Sequence, residues 1–162
     1  TELQPTGATG VDIILNGGAS VAGHVVNLTT NEAVADVSLR ASSPYAMSTM
    51  ETTTDDQGSF IFAGLSAGTQ HFEVLDDNLV VSSDSISVEL ASDQLIDDLE
   101  IRVAVGAMVA GRVYDEETDV GVNAVTISAR PENIPTASSK EVTTDSAGYY
   151  LLQGLNEGNY RI

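Results

Sequence analysis

The residues of this sequence with the types and spacing to do chemistry are carboxylates set near glycines. The run Thr53-Thr54-Asp55-Asp56-Gln57-Gly58 returns as Thr143-Thr144-Asp145-Ser146-Ala147-Gly148. An Asp placed this way can offer oxygens to calcium, or it can accept the N–H groups of its own turn. A calcium loop needs several alternating oxygen ligands, which these runs lack. A hairpin turn is therefore expected, with Asp55 and Asp145 as acceptors and Gly58 and Gly148 at positive φ. The tract Asp115-Glu116-Glu117-Thr118-Asp119 is denser in charge, and Asp115, Glu116, Glu117 and Asp119 would be the ligands of any calcium site. Its counterpart, Asn27 to Asn31, holds no carboxylate, which favours a solvated acidic loop.

Other constellations are thin. The histidines are His24 and His71, whose matching positions are Arg112 and Arg161, and neither lies in a nucleophile-elbow context such as G-x-S-x-G. There is no cysteine, so thiol catalysis, disulfides and zinc-thiolate sites are excluded. Adjacent carboxylates such as Asp76-Asp77 and Asp97-Asp98 carry no catalytic signal without a cleft that separates their proton affinities. Tyr149 and Tyr150 fall on opposite faces of a strand, so at most one could serve as a sugar-stacking platform, and there is no Trp. No catalytic, cofactor or metal site is expected.

The 162 residues carry 6 Lys plus Arg against 24 Asp plus Glu, a formal net charge of −18. Lys140 is the single lysine. Such a surface repels nucleic-acid backbones and anionic membranes. With 42% hydrophobic residues the chain is not a disordered acidic tail. The acidity is expected to coat something folded, in the manner of proteins kept soluble in salty surroundings, where screening over several ångströms limits self-repulsion. No apolar run approaches the roughly 20 residues that span a bilayer, and the first ten residues show no signal-peptide pattern.

The elements that position these residues come from an internal repeat. Gly18-Ala19-Ser20-Val21-Ala22-Gly23-His24-Val25 recurs as Gly106-Ala107-Met108-Val109-Ala110-Gly111-Arg112-Val113, an offset of 106 − 18 = 88. Asp12-Ile13-Ile14-Leu15 aligns with Glu100-Ile101-Arg102-Val103 at the same offset. From Thr53 onward the offset is 143 − 53 = 90, so a loop has gained two residues. Residues 17–104 are read as one complete module. Residues 105–162 are read as a second that stops at the equivalent of Phe72, and residues 1–16 as ending in the last strand of an upstream module. On this reading module two has open strand edges, so it should be unstable or should borrow a strand from a partner.

Alternation of period two marks strands at Val37, Leu39 and Ala41, at Phe60 and Phe62, at Phe72 and Val74, and at Ile86, Val88 and Leu90. Turn signals, including Gly64 and Gly68 with their counterparts Gly154 and Gly158, separate them. No amphipathic helix is convincing; Ala91 to Leu99 is the best candidate and is short. About seven strands in about 88 residues fit a β-sandwich. The expectation is all-β, with tandem seven-stranded Ig-like or prealbumin-like sandwiches.

The order G-x-V-x-G-x-V, a strand, then T-T-D-x-x-G-x-F-x-F-x-G-L-x-x-G resembles the carboxypeptidase regulatory-like domain, a transthyretin-like (prealbumin-like) β-sandwich related to the B-type repeats of collagen adhesins. The resemblance appears twice and covers nearly the whole chain. It departs at Gln70, where the pattern has an aromatic; module two keeps Tyr160. The resemblance implies an accessory module of secreted or cell-surface proteins, non-enzymatic, with a spacing, scaffolding or adhesive role. Its partners would be neighbouring modules, copies of itself or other surface proteins. A carbohydrate-binding accessory module of a secreted hydrolase is the alternative. Some collagen-adhesin repeats close a Lys–Asn isopeptide bond; module one has no lysine, and Lys140 precedes the turn, the wrong place for it. Asn27-Leu28-Thr29 is a glycosylation sequon that would matter only in a eukaryotic secretory pathway.

Overall fold

The computed structural model describes residues 17–44, 49–82, 86–132 and 139–162, and every regular element among them is a strand. Eight strands belong to the first repeat: β1 (Ala19–Asn27), β2 (Ser38–Ser42), β3 (Met50–Thr53), β4 (Ser59–Leu65), β5 (Gly68–Val74), β6 (Leu79–Val81), β7 (Ile86–Leu90) and β8 (Leu95–Val105). Five belong to the second: β9 (Ala107–Arg112), β10 (Thr126–Pro131), β11 (Lys140–Thr143), β12 (Tyr149–Leu155) and β13 (Tyr160–Arg161). The first repeat folds as two four-stranded sheets, ordered β4-β1-β8-β6 and β3-β2-β5-β7. Its strand count exceeds the expected seven by one, and the three-residue β6 follows directly on the Asp76–Asn78 turn.

The second repeat has a two-stranded sheet, β12-β9, and a three-stranded one, β11-β10-β13. These are the counterparts of β4-β1 and β3-β2-β5. The two-residue gain falls in the connection from β10 to β11. Residues 91–99 hold no helix: Asp93 sits at φ 59 in a turn, and β8 starts at Leu95. β8 lies parallel to β1, pairing His24 with Glu100 and Val25 with Ile101, and the ladder shifts register opposite Asp97-Asp98. That shift breaks the local alternation over Leu95 to Leu99, the stretch that reads as a short helix candidate, while Glu100 to Val103 keep the strand pattern expected of the module's last strand.

Alternation delivers the core of the first repeat. Val21, Val25, Val37, Leu39, Ala41, Phe60, Phe62, Phe72, Ile101 and Val103 are all buried between the two sheets. Phe62 is central, with ring centroids 5.9 Å from Phe60 and 5.5 Å from Phe72. Gln70 is buried where the pattern expects an aromatic. Its amide donates to the Ser66 carbonyl at 2.9 Å and to Ser66 Oγ at 3.2 Å, so the turn supplies the partners that burial demands. In the second repeat Tyr160 fills the matching place against Ala129, Leu152 and Leu155, the buried residues of that cluster.

Candidate functional site: the turns, the acidic loop and the junction

The Asp-Gly runs form the same hairpin twice. Asp55 Oδ1 accepts from the backbone N–H of Gln57 and of Ser59, each at 2.9 Å, and Asp145 Oδ1 accepts from Ala147 at 2.8 Å and Tyr149 at 2.9 Å. The Ser59 and Gln57 amides stabilise the anion and hold the Asp55 carboxyl below its ordinary value. Gly58 and Gly148 close the turns at φ 71 and 81, and a Cβ at either would run into the backbone of Val25 or Val113. Gly64, Gly68, Gly154 and Gly158 also sit at positive φ, flanking the turns from β4 to β5 and from β12 to β13.

The residue before each Asp is the one that sequence reasoning passed over. Thr54 is 3% exposed; its Oγ1 accepts from the Val37 N–H and donates to the Val34 carbonyl, both at 2.9 Å. Thr144 repeats this with Val125 at 2.9 Å and Val122 at 2.7 Å. A threonine held at the same place in both copies of T-T-D was the available signal.

Asp115 is committed inside its own loop. Its Oδ1 accepts from Thr118 Oγ1 at 2.8 Å, from the Thr118 N–H at 2.9 Å and from the Glu117 N–H at 3.1 Å. The Thr118 hydroxyl, then the backbone amides, pull the Asp115 carboxyl below its ordinary value. Asn27 Oδ1 makes the matching turn in the first repeat, accepting from Thr29 at 2.8 Å and Thr30 at 3.0 Å. Asp119, at φ 55, faces Arg112 across 3.4 Å, while Glu116 and Glu117 are exposed. Among the described residues no group of three or more His, Cys, Asp or Glu gathers in a metal-binding arrangement.

Arg112 ties this loop to the hairpin. Its guanidinium donates to the Asp119 carbonyl at 3.0 Å and, through Nε, to the Ala147 carbonyl at 3.2 Å. It lies over the rings of Tyr114 and Tyr149, 5.5 and 5.6 Å from their centroids. Tyr149 therefore presents a ring already stacked on a cation, while Tyr150 turns to the other face, against the second core. His24 and His71 are both exposed.

The junction between repeats is short and braced. Gly106 alone separates β8 from β9, and its N–H donates to the Asn78 carbonyl at 2.8 Å. The turn from Asp76 to Asn78 rests on the second repeat: Lys140 Nζ donates to the Asp77 carbonyl at 3.4 Å, and that carbonyl occupies the space a Cβ on Gly154 would need. Gly64, the counterpart of Gly154, has open space at the same place.

No known family's sequence profile matches the chain, and no curated protein matches it in sequence. Solved structures show loose likenesses. A streptococcal ancillary pilin is 14% identical at a TM-score of 0.45, over 88% of this chain and 51% of that one. The Bacillus anthracis TIE protein is 15% identical at 0.44, over 90% and 27%. A structure described as a putative carbohydrate binding protein from Bacteroides uniformis is 12% identical at 0.42, over 84% and 78%. The chain thus spans about half of the streptococcal pilin and about a quarter of the TIE protein.

Proposed function

We propose that this chain is a non-catalytic spacer from a longer secreted or cell-surface protein, built of tandem β-sandwich modules at 17–104 and 105–162. In this reading residues 1–16 end in the last strand of a further module upstream. The partners are neighbouring modules, and the work is to hold them at a fixed separation. The observation that carries the proposal is the junction: a one-residue connector braced by the Asp76–Asn78 turn against Lys140 and Gly154. A flexible linker would instead be longer and free of such contacts. The commitment of Asp55, Asp115 and Asp145 to backbone amides supports a structural use of the carboxylates. Among the described residues no helix is long and apolar enough to cross a membrane.

The test is the rigidity of the junction. Gly154→Ala places a methyl against the Asp77 carbonyl and should lift the turn away. Paired spin labels, one per module, should give a narrow distance distribution in the parent chain and a clearly broader one in the variant. A parent distribution as broad as the variant's would remove the spacer reading. A glycan array in which binding disappears with Tyr149→Ala would replace it with the carbohydrate reading.

A further inference from the structure

Edge strands are where sheets pair with other chains, and natural sequences guard them with charge, proline or brevity. In the first repeat the edges are β4 and the three-residue β6 of one sheet, and β3 and β7 of the other. β3 carries Glu51 and β7 carries Glu89, while β11, the counterpart of β3, carries Lys140 and Glu141. β4 and its counterpart β12 have no such guard. Each runs seven residues, SFIFAGL and YYLLQGL, without a charge or a proline. β4 is outermost in a sheet with all four strands and the following repeat in place, and β12 is outermost with the preceding repeat in place. The open edge is therefore a property of the repeat itself.

The ladder leaves backbone groups of β12 unspent. Val113 N–H donates to the Gly148 carbonyl at 2.8 Å, and the pairing continues through Tyr150 with Gly111 and Leu152 with Val109. Alternation then turns the N–H and C=O of Leu151 away from β9. Tyr149 faces the same way but spends its pair on Asp145. Among the described residues no strand lies beside β12 on that side. The outward side chains are apolar too: Tyr149 is 56% exposed and Leu151 43%, with Met108 of β9 at 62%. β4 has Ser59 where β12 has Tyr149, so β12 gains more from cover.

We infer that β12 pairs antiparallel with β12 of a second copy of the chain, across a two-fold axis near Leu151. Charge selects the occupant. In a chain of net charge −18 this is a long edge along which two copies meet with no carboxylate on either strand. A two-fold axis perpendicular to the sheet also brings β11 toward its own copy. The cavity of about 270 Å³ between β11 and β12 is lined by Lys140, Glu141, Val142 and Leu151. Lys140 and Glu141 of one copy thus approach Glu141 and Lys140 of the other, so the signs are self-complementary. Such a contact closes at the dimer and joins the two β12-β9 sheets into one. A strand about 23 Å long, on sheets about 10 Å apart, offers a few hundred Å² per copy, at the low end of specific contacts. The dimer is therefore weak and concentration-dependent, and it strengthens as salt screens the repulsion between copies. Nothing in this pairing depends on the spacer role.

Sedimentation equilibrium on the full chain, from micromolar to millimolar protein and at low and high salt, should show mass rising from one copy to two. Leu151→Glu sets like charges opposite each other at the centre of the contact and should weaken dimerisation by about tenfold or more. Leu151 is 43% exposed, so circular dichroism should show this variant folded. Ile61→Glu makes the same change at the counterpart on β4, 59% exposed, adds the same charge, and should leave the dimer within about twofold of the parent. Hydrogen exchange of the peptide 149–155 should slow as concentration rises in the parent and not in Leu151→Glu. A monomer at every concentration and salt, equal weakening by both glutamates, or a dimer that survives Leu151→Glu would each overturn the inference.

Discussion

Replacing Thr54 by valine isolates one buried hydroxyl. The side chain keeps its shape and its place between β3 and β4, and two hydrogen bonds vanish: the one accepted from Val37 N–H and the one donated to the Val34 carbonyl. Thr54 is 3% exposed, so water does not replace either partner freely. An unpaired buried backbone group costs about 1–3 kcal/mol, and Val34 is only half-buried, so the expected loss is about 2–3 kcal/mol. In a unit of this size each kcal/mol moves the midpoint by roughly 4–8 °C, giving a fall on the order of 10–20 °C. Scanning calorimetry reads it, and hydrogen exchange on peptides of β2 and β3 localises it. Thr54→Ser keeps the hydroxyl and loses one methyl, at about 1 kcal/mol. Equal damage from serine and valine, or a valine variant within about 0.5 kcal/mol of the parent, would refute the assignment of the stability to the hydroxyl.

Two further outcomes follow from the loops. The Asp55 carboxyl titrates below its ordinary value in the folded chain because the Ser59 and Gln57 amides hold the anion. Its contribution is therefore present above that value and is lost as pH falls through the folded value. Acid unfolding of Asp55→Asn should be shallower across that window than that of the parent, measured by circular dichroism against pH; identical curves would contradict it. Arg112→Ala removes the bonds to Asp119 and Ala147, so amide exchange across residues 115–122 should accelerate several-fold while peptides of β1 and β4 stay unchanged. Protection that stays level with the parent would assign the loop's order to Asp115 alone.

Local chemistry was readable and distant approach was not. Val37, Leu39 and Ala41 announced their inward face by alternation, and all three are buried. The start of β8 was hidden because its apolar period breaks at Asp97-Asp98, opposite a register shift against a strand some 75 residues earlier in the chain, whereas Glu100 to Val103 were legible as the repeat's last strand. Gln70 looked like a lost aromatic; only the fold shows that Ser66 satisfies its amide. Arg112 read as an outward-facing counterpart of His24, because nothing in its own strand indicates that Asp119 and Ala147 come within reach. The contact of Lys140 with the Asp77 carbonyl joins residues 63 apart, a distance over which no period carries information.

The repeat lets the chain act as its own control for what makes a core. Val21, Val25, Leu39 and Phe60 are at most 4% exposed, while their counterparts Val109, Val113, Ile127 and Tyr150 are half-buried. The side chains are alike, the Thr-Asp-Gly hairpins superimpose bond for bond, and β1–β4 pairing is reproduced by β9–β12. Local sequence is therefore held nearly constant and burial still differs. What differs is the cover: Ile101 and Val103 from β8 and Leu90 from β7 close the first core, and no counterpart to them lies over the second among the described residues. Each half-exposed apolar side chain forfeits on the order of 1 kcal/mol of transfer free energy, and several together are comparable with the net stability of a small domain.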